Sequence, residues 1–318
     1  MIIDTHVHIT WGMHGHTGRG PTKSLTYGRV QQGDEEIQMM PPFNPGPTAL
    51  EPETLIRFMD ATGVDKAVLL QGSFYGDQNE YLQNAATRWP DRLIPAAYLD
   101  PRAGDARETF VRAFDEYGFR ILKFEMSEPA GFTGVYPDLR LDGEDMSWIW
   151  GECERRHVVV TLDLGQIGTP AYQTEAVERI LANHASLRIV IAHLAQPPLA
   201  HPEDADMDKA WERQVLLGRQ PNVWFDTAAL PAYRDDDYPF ATALSYVRRA
   251  VELIGIDKLM WGTDIPGLFG QATYTQLLQM YQQHSGFSSD ELRRFLGQTA
   301  LDVYGGAALT PRKNSVSA

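Results

Sequence analysis

Short apolar runs of strand length alternate with longer stretches whose apolar residues recur at helical spacing, almost from one end of the chain to the other. The runs cover residues 2–9, 66–72, 93–100, 119–126, 158–165, 188–195, 223–230 and 259–266. Between them the helical pattern recurs at 52–62, 79–89, 105–117, 146–156, 172–184, 206–217 and 239–254, with two closing helices at 273–283 and 289–304. Apolar strands that alternate with helices predict a parallel sheet covered on its outer face. Eight such units predict an α/β fold of the (β/α)8 TIM barrel type.

One segment breaks the rhythm. Residues 10–50 follow the first strand where a helix is expected, and they are rich in Gly, Pro, Met and polar residues. Loops this long usually carry a function, and in such barrels the loops after strands surround the active site, so the segment is read as a lid insertion. A shorter insertion, 127–145, follows the fourth strand on the same side. The domain reading is one barrel over 1–307 with a tail at 308–318.

Composition narrows the classes of partner. The 318 residues are 43% hydrophobic, enough for one barrel of about 250 residues with insertions. A net charge of -14 and a pI near 5.0 leave no basic surface for phosphates, so nucleic acid and membrane surfaces are excluded as general partners and a small-molecule substrate is expected. The lone Cys153 sits in an apolar helical pattern and reads as core, without an intramolecular disulfide. The start, MIIDTHVHIT, shows neither a basic n-region nor an apolar h-region, and no run reaches the ~20 apolar residues of a membrane span. A cytoplasmic enzyme is expected, either a monomer or a homodimer or larger homo-oligomer.

The candidate chemistry stands at strand ends. Residues two apart on a strand point the same way, so Asp4, His6 and His8 are expected on one face, and in a barrel that face is the interior. Two neighbouring imidazoles make half of a divalent-metal site. His193 in IVIAHLA and Asp264 in LMWGTDIPG emerge from apolar strands six and eight, where an unpaired buried charge would be costly without a function. Lys123 and Glu125 alternate onto one face of strand four and are read as substrate-binding or mutually paired. In the lid, His16 and Arg19 are assigned to substrate binding, with His14, Lys23 and Arg29 nearby and Trp11 and Tyr27 as an apolar wall. Asp226, at the end of strand seven, is read as hydrogen-bonding support.

DTHVH, IAHLA and WGTDIPG, in that order and spacing over about 260 residues, resemble the amidohydrolase-related family that includes aminocarboxymuconate semialdehyde decarboxylase and its hydrolase relatives. The resemblance implies one divalent metal, zinc or manganese, held by His6, His8 and Asp264, with His193 and Asp264 acting in proton transfer. Where the family has a fifth-strand His this chain has Asp163, which implies either a shell of two His and two carboxylates or loss of the metal as in pyrone-dicarboxylate lactonase. Glu125 likewise stands where the family has a His. The implied activity is hydrolysis of a small amide, lactone or ester by a metal-activated water. Decarboxylation of an aromatic or muconate-type acid is the alternative, and a metal-free lactonase or a degenerate ligand-binding barrel is the second.

Overall fold

A computed structural model describes residues 1–42 and 44–305, so the tail assigned to 308–318 lies outside the described residues. The chain opens with β1 (Ile3–Val7), then forms β2 (His16–Thr17), β3 (Gly20–Ser24), β4 (Arg29–Gln32) and β5 (Glu35–Gln38). The remaining strands are β6 (Lys66–Leu69), β7 (Leu93–Pro95), β8 (Ala97–Tyr98), β9 (Ile121–Glu125), β10 (Val159–Asp163), β11 (Arg188–Ile191), β12 (Val223–Asp226) and β13 (Leu259–Met260). Each expected strand is present, and a helix follows each expected one, Pro52–Thr62 being the first.

The strands form a closed ring. β1 pairs in parallel with β6 and β6 with β7, while β8 to β13 run as neighbours in one sheet. Only Ala96 separates β7 from β8, and its N–H donates to the Leu69 carbonyl, so the two are one bent third strand. The last seam closes through Thr5 N–H to Trp261 O (3.1 Å), Asp264 N–H to His6 O (2.8 Å) and His8 N–H to Ile265 O (2.9 Å). Every strand of the barrel, β1 and β6 to β13, therefore has neighbours on both sides, which removes the exposed edges of an open sheet.

Inside the ring, the lower end is apolar. Ile3, Val68, Ile94, Ile121, Val159, Val190 and Met260 pack together and are capped by Ala300, Val303 and Tyr304 of the last helix. A larger apolar layer lies between the strands and the surrounding helices, with Trp211, Phe225, Trp261 and Phe295 fully buried. No helix among the described residues is long and apolar enough to cross a membrane.

Two local features depart from expectation. Within the 10–50 segment, β2 to β5 form a four-stranded antiparallel sheet. Its strands are short and largely exposed, so the alternation of apolar and polar positions that marks a strand is faint there. In β1 the register shifts between Asp4 and Val7. A bulge of this kind changes which side chains point inward. Ile3 belongs to the interior cluster below and His6 and His8 to the site above, while Asp4 turns away from both, toward Thr263 and Tyr274. The expectation that Asp4 shares a face with His6 and His8 is corrected by that bulge.

Candidate active site

The upper end of the barrel interior is where the strand-end groups meet. Along β9 the inward positions read Ile121, Lys123, Glu125, and along β10 they read Val159, Thr161, Asp163, so each strand passes from apolar to polar within two steps. Above them opens a cavity of about 550 Å³ lined by His8, Lys123, Glu125, Asp163, His193 and Asp264 among others.

Three imidazoles converge with one carboxylate. His6, His193 and Asp264 place ligand atoms within 4.8 Å of one another. The rings of His6 and His193 lie 4.6 Å apart, and those of His6 and His8 5.1 Å apart. Each ring is held from behind at Nδ1. His6 Nδ1 lies 3.0 Å from Asp226 Oδ2, His8 Nδ1 2.9 Å from the Leu70 carbonyl, and His193 Nδ1 3.2 Å from the Ala228 carbonyl. A carbonyl can only accept, so Nδ1 of His8 and His193 carries the proton, and all three Nε2 atoms are turned toward the centre. Metal-binding histidines are commonly oriented by this arrangement, so the residues fit a divalent cation. His6, His193 and Asp264 are the group best placed to hold it.

The remaining candidates take definite places around that group. His8 Nε2 is 3.0 Å from Asp264 Oδ1. Asp163 lies beside His193, 3.4 Å from its Nε2, and accepts from the Gly165 N–H and Gln196. Lys123, buried at 2% exposure, donates to His6 Nε2 at 3.2 Å and stands 3.9 Å from Glu125. Of the groups read from the 10–50 segment, Arg19 pairs with Glu35 at 3.0 Å, half exposed, and neither it nor His16 lines this cavity. Trp11 and Tyr27 are exposed at the surface. The insertion instead contributes Gln32 and Ile37 to the wall.

Electrostatics follow from burial and pairing. Burial, aided by the charge of Lys123, pushes His6 well below the usual imidazole range, which keeps Nε2 a neutral acceptor. Burial also disfavours charge on His193, but the Asp163 carboxylate beside it outweighs this and raises it to about 9. Asp163 feels the reciprocal effect: burial opposes its charge, and His193 brings it down to about 2. Asp264 is held below its usual value despite burial, chiefly by its contact with His8 and the charge of His193. Behind the site, burial raises Asp226 to about 6 and Asp4 to about 7.

Two local details explain the motifs around these groups. His193 to Gln196 all have left-handed backbone (φ 58°, 51°, 59° and 44°), and Asp264 does too (φ 64°). Such conformations cost of order 1–3 kcal/mol each for non-glycine residues and persist only where the surroundings hold them. Asp226 Oδ1 accepts the His193 N–H at 3.0 Å, and Trp211 Nε1 donates to Leu194 O at 2.8 Å. Asp4 fixes the other turn by accepting from the N–H (3.0 Å) and hydroxyl (2.6 Å) of Thr263 and from Tyr274 (3.0 Å). Gly262 is required by proximity, since a Cβ there would come within 3.0 Å of His6 Cβ.

An amidohydrolase family model matches residues 3–306. The chain belongs to the amidohydrolase family. It is 26% identical over 317 residues to an L-fucono-1,5-lactonase of Burkholderia ambifaria, covering 96% of this chain and 93% of that one. Among solved structures it resembles a probable 2-pyrone-4,6-dicarboxylic acid hydrolase of Acinetobacter baumannii with bound citric acid, at 18% identity and a TM-score of 0.68, over 96% of this chain and 99% of that one. It also resembles an amidohydrolase of Burkholderia multivorans with bound zinc, at 18% identity and a TM-score of 0.69, with the same two coverages. The barrel expected from the sequence is thus the family's fold, and this amidohydrolase is an enzyme whose strand-end histidines and Asp264 meet at one point.

Three further wall residues had no direct signal in the chain. Tyr75 stacks on His8 with ring centroids 4.8 Å apart, and Tyr233 stands edge-on to His193 at 6.3 Å. Gln32 reaches the cavity from the insertion. Tyr75 and Tyr233 follow barrel strands by a few residues, and that position is the signal that could have found them.

Proposed function

We propose that this amidohydrolase hydrolyses a small uncharged lactone, opening the ring to a hydroxy acid. The observation that carries the reading is the convergence of three oriented imidazole Nε2 atoms and the Asp264 carboxylate beside Lys123, on the floor of a cavity of small-molecule size. The 26% identity to a lactonase across nearly both full lengths supports a lactone over an amide. The cavity walls carry Glu125, Glu128, Asp163 and Asp264 and no arginine among the described residues, which disfavours a substrate with carboxylates of its own.

In this reading Asp264, held ionised, takes a proton from the attacking water as its oxygen bonds to the acyl carbon. Lys123 faces the carbonyl oxygen and stabilises the negative charge that develops there. The ring C–O bond then breaks, and the departing alkoxide recovers the proton from Asp264. His8 holds Asp264 in place through its 3.0 Å contact. A divalent cation held by His6, His193 and Asp264 would add Lewis acidity at the same carbonyl, and an imidazole-rich set suits zinc, with manganese favoured by further carboxylates. Without it, His193 is the imidazolium that Asp163 sustains.

The test is a panel of five- and six-membered lactones, followed by acid release at constant pH, with elemental analysis of protein purified without added metal. Acid release with turnover is the expected result. Carbon dioxide release from an aromatic acid, with every lactone left intact, would replace hydrolysis by decarboxylation.

A further inference from the structure

Exposure sorts the lining of the cavity into three levels. The floor is the polar group of strand-end side chains, and the outer lip carries Glu128, Gln166 and His201, all exposed to solvent. Between them the lining is mostly apolar: Phe74, Ile167, Pro198 and Leu199 are buried, and Ile37 and Met207 half-buried. The polar groups at this middle level are turned elsewhere. Ser127 Oγ donates to Glu125 at 3.2 Å, Gln196 Nε2 reaches Asp163 at 3.4 Å, and the Gln32 side-chain oxygen is sealed from the cavity. Among the described residues, no lysine or arginine lines the cavity above Lys123.

The apolar residues come from opposite sides of the ring. Phe74 follows β6, the second strand of the barrel, and Ile37 joins it from β5 of the insertion, packed against the small core of Val30, Phe74 and Tyr75. Ile167 follows β10, the fifth strand, and Pro198 and Leu199 follow β11, the sixth. Met207, in the first turn of the helix Ala205–Val215, packs against the same core as Ile167 and Leu199. In a closed ring of eight the second strand stands across from the sixth, so the two sets form the walls of one slot over the polar floor.

We propose that this slot holds an alkyl chain carried by the lactone ring, so that the substrates are alkyl-substituted lactones and the 10–50 insertion, through Ile37, helps to select them. The proposal rests on the lactonase reading. It departs from L-fucono-1,5-lactone, the substrate named for the lactonase relative. A bare lactone ring fills a minor part of about 550 Å³, and its ester group is engaged at the floor. Apolar surface inside a cavity and rimmed by polar groups is the usual mark of a ligand groove. An alkyl chain between these walls is removed from water on both sides, whereas hydroxyls or a carboxylate there would lose water and find no partner.

The test is a chain-length series on full-length protein as purified: δ-valerolactone, which has no side chain, then δ-lactones with side chains from methyl to pentyl, with D-glucono-1,5-lactone for comparison. In the parent, kcat/KM should rise by about two- to fourfold for each methylene added. Ile37→Thr and Met207→Gln make one half-buried position on each wall polar. Each should cut the gain from methyl to pentyl by about threefold or more and leave δ-valerolactone within about twofold of the parent. A flat series in the parent overturns the slot, as does a preference for the hydroxylated lactone over the pentyl one. Equal losses on δ-valerolactone and the pentyl lactone would mean a structural role and also overturn it, as would no change in either variant. If the parent opens no lactone, the reaction reading fails by itself. The slot is then read by calorimetry with methyl- and pentyl-substituted δ-lactams. Tighter binding of the pentyl lactam in the parent, reduced in both variants, upholds it, and binding that is absent or indifferent to chain length overturns it.

Discussion

The lower and upper halves of the barrel interior are built from the same strands and obey opposite rules. Lys123 lies two positions beyond Ile121 and Asp163 four beyond Val159, yet the first of each pair is sealed in an apolar plug and the second faces the cavity. Below, the clustered side chains are apolar and close-packed under the final helix. Above, buried charges meet in pairs, and the left-handed turns at His193–Gln196 and Asp264 hold them. The difference shows how one strand can divide its labour: the plug supplies the stability that the strained, charged rim consumes.

The division can be broken from the top. Asp264→Asn keeps shape and removes the proton acceptor, so kcat should fall by about 10²–10⁴. Secondary structure by circular dichroism should stay that of the parent. A variant that keeps parental turnover would remove Asp264 from the chemistry and leave the upper half without a base.

It can next be broken from below. Ile121→Ala opens a void in a fully buried layer, and urea unfolding should report a loss of about 2–5 kcal/mol. Turnover per folded molecule should be unchanged. A large loss of kcat with little loss of stability would show that the two halves are not separable in this way.

The smallest effect sharpens the account of how charge is kept in the upper half. Asp163 is depressed from 3.8 to about 2, so its contribution to stability is present above pH 3.8 and is lost as pH falls through about 2. His193 is raised from 6.5 to about 9, so its contribution is complete below pH 6.5 and is lost as pH rises through about 9. In metal-free protein the advantage of the parent over Asp163→Asn should therefore be greatest between pH 3.8 and 6.5 and should vanish above about 9. Unfolding curves across this range check it, and a difference that does not vary with pH would dissolve the pair.

Much of the barrel was legible in the chain because apolar strands and amphipathic helices announce themselves by period. The ends of the strands were less so. Residues 188–195 and 259–266 read as continuous strands, but the regular strands end at Ile191 and Met260. The chain then enters turns whose positive-φ positions are His193, Leu194, Ala195, Gln196 and Asp264, none of them a glycine. The bulge that turns Asp4 away is equally silent, since it leaves the residue pattern of β1 intact. His6 and His8 stood out by their alternation on one strand, and His193 and Asp264 as polar groups at the end of apolar strands; the fold brings all four to one end of the barrel. Gln32 did not stand out, because a glutamine on a short polar strand looks like surface until the fold carries it to a wall.

The seam between β1 and β13 has a consequence for biosynthesis. His8 and Asp264 are 256 residues apart in the chain, and the His6 carbonyl receives the Asp264 amide that closes the ring. A nascent polypeptide emerging from the ribosome therefore carries its first histidines for most of translation with no carboxylate to meet them. Competence arrives late and all at once, when the last parallel strand docks, so fragments that stop short of it should be inert however well their earlier units have folded.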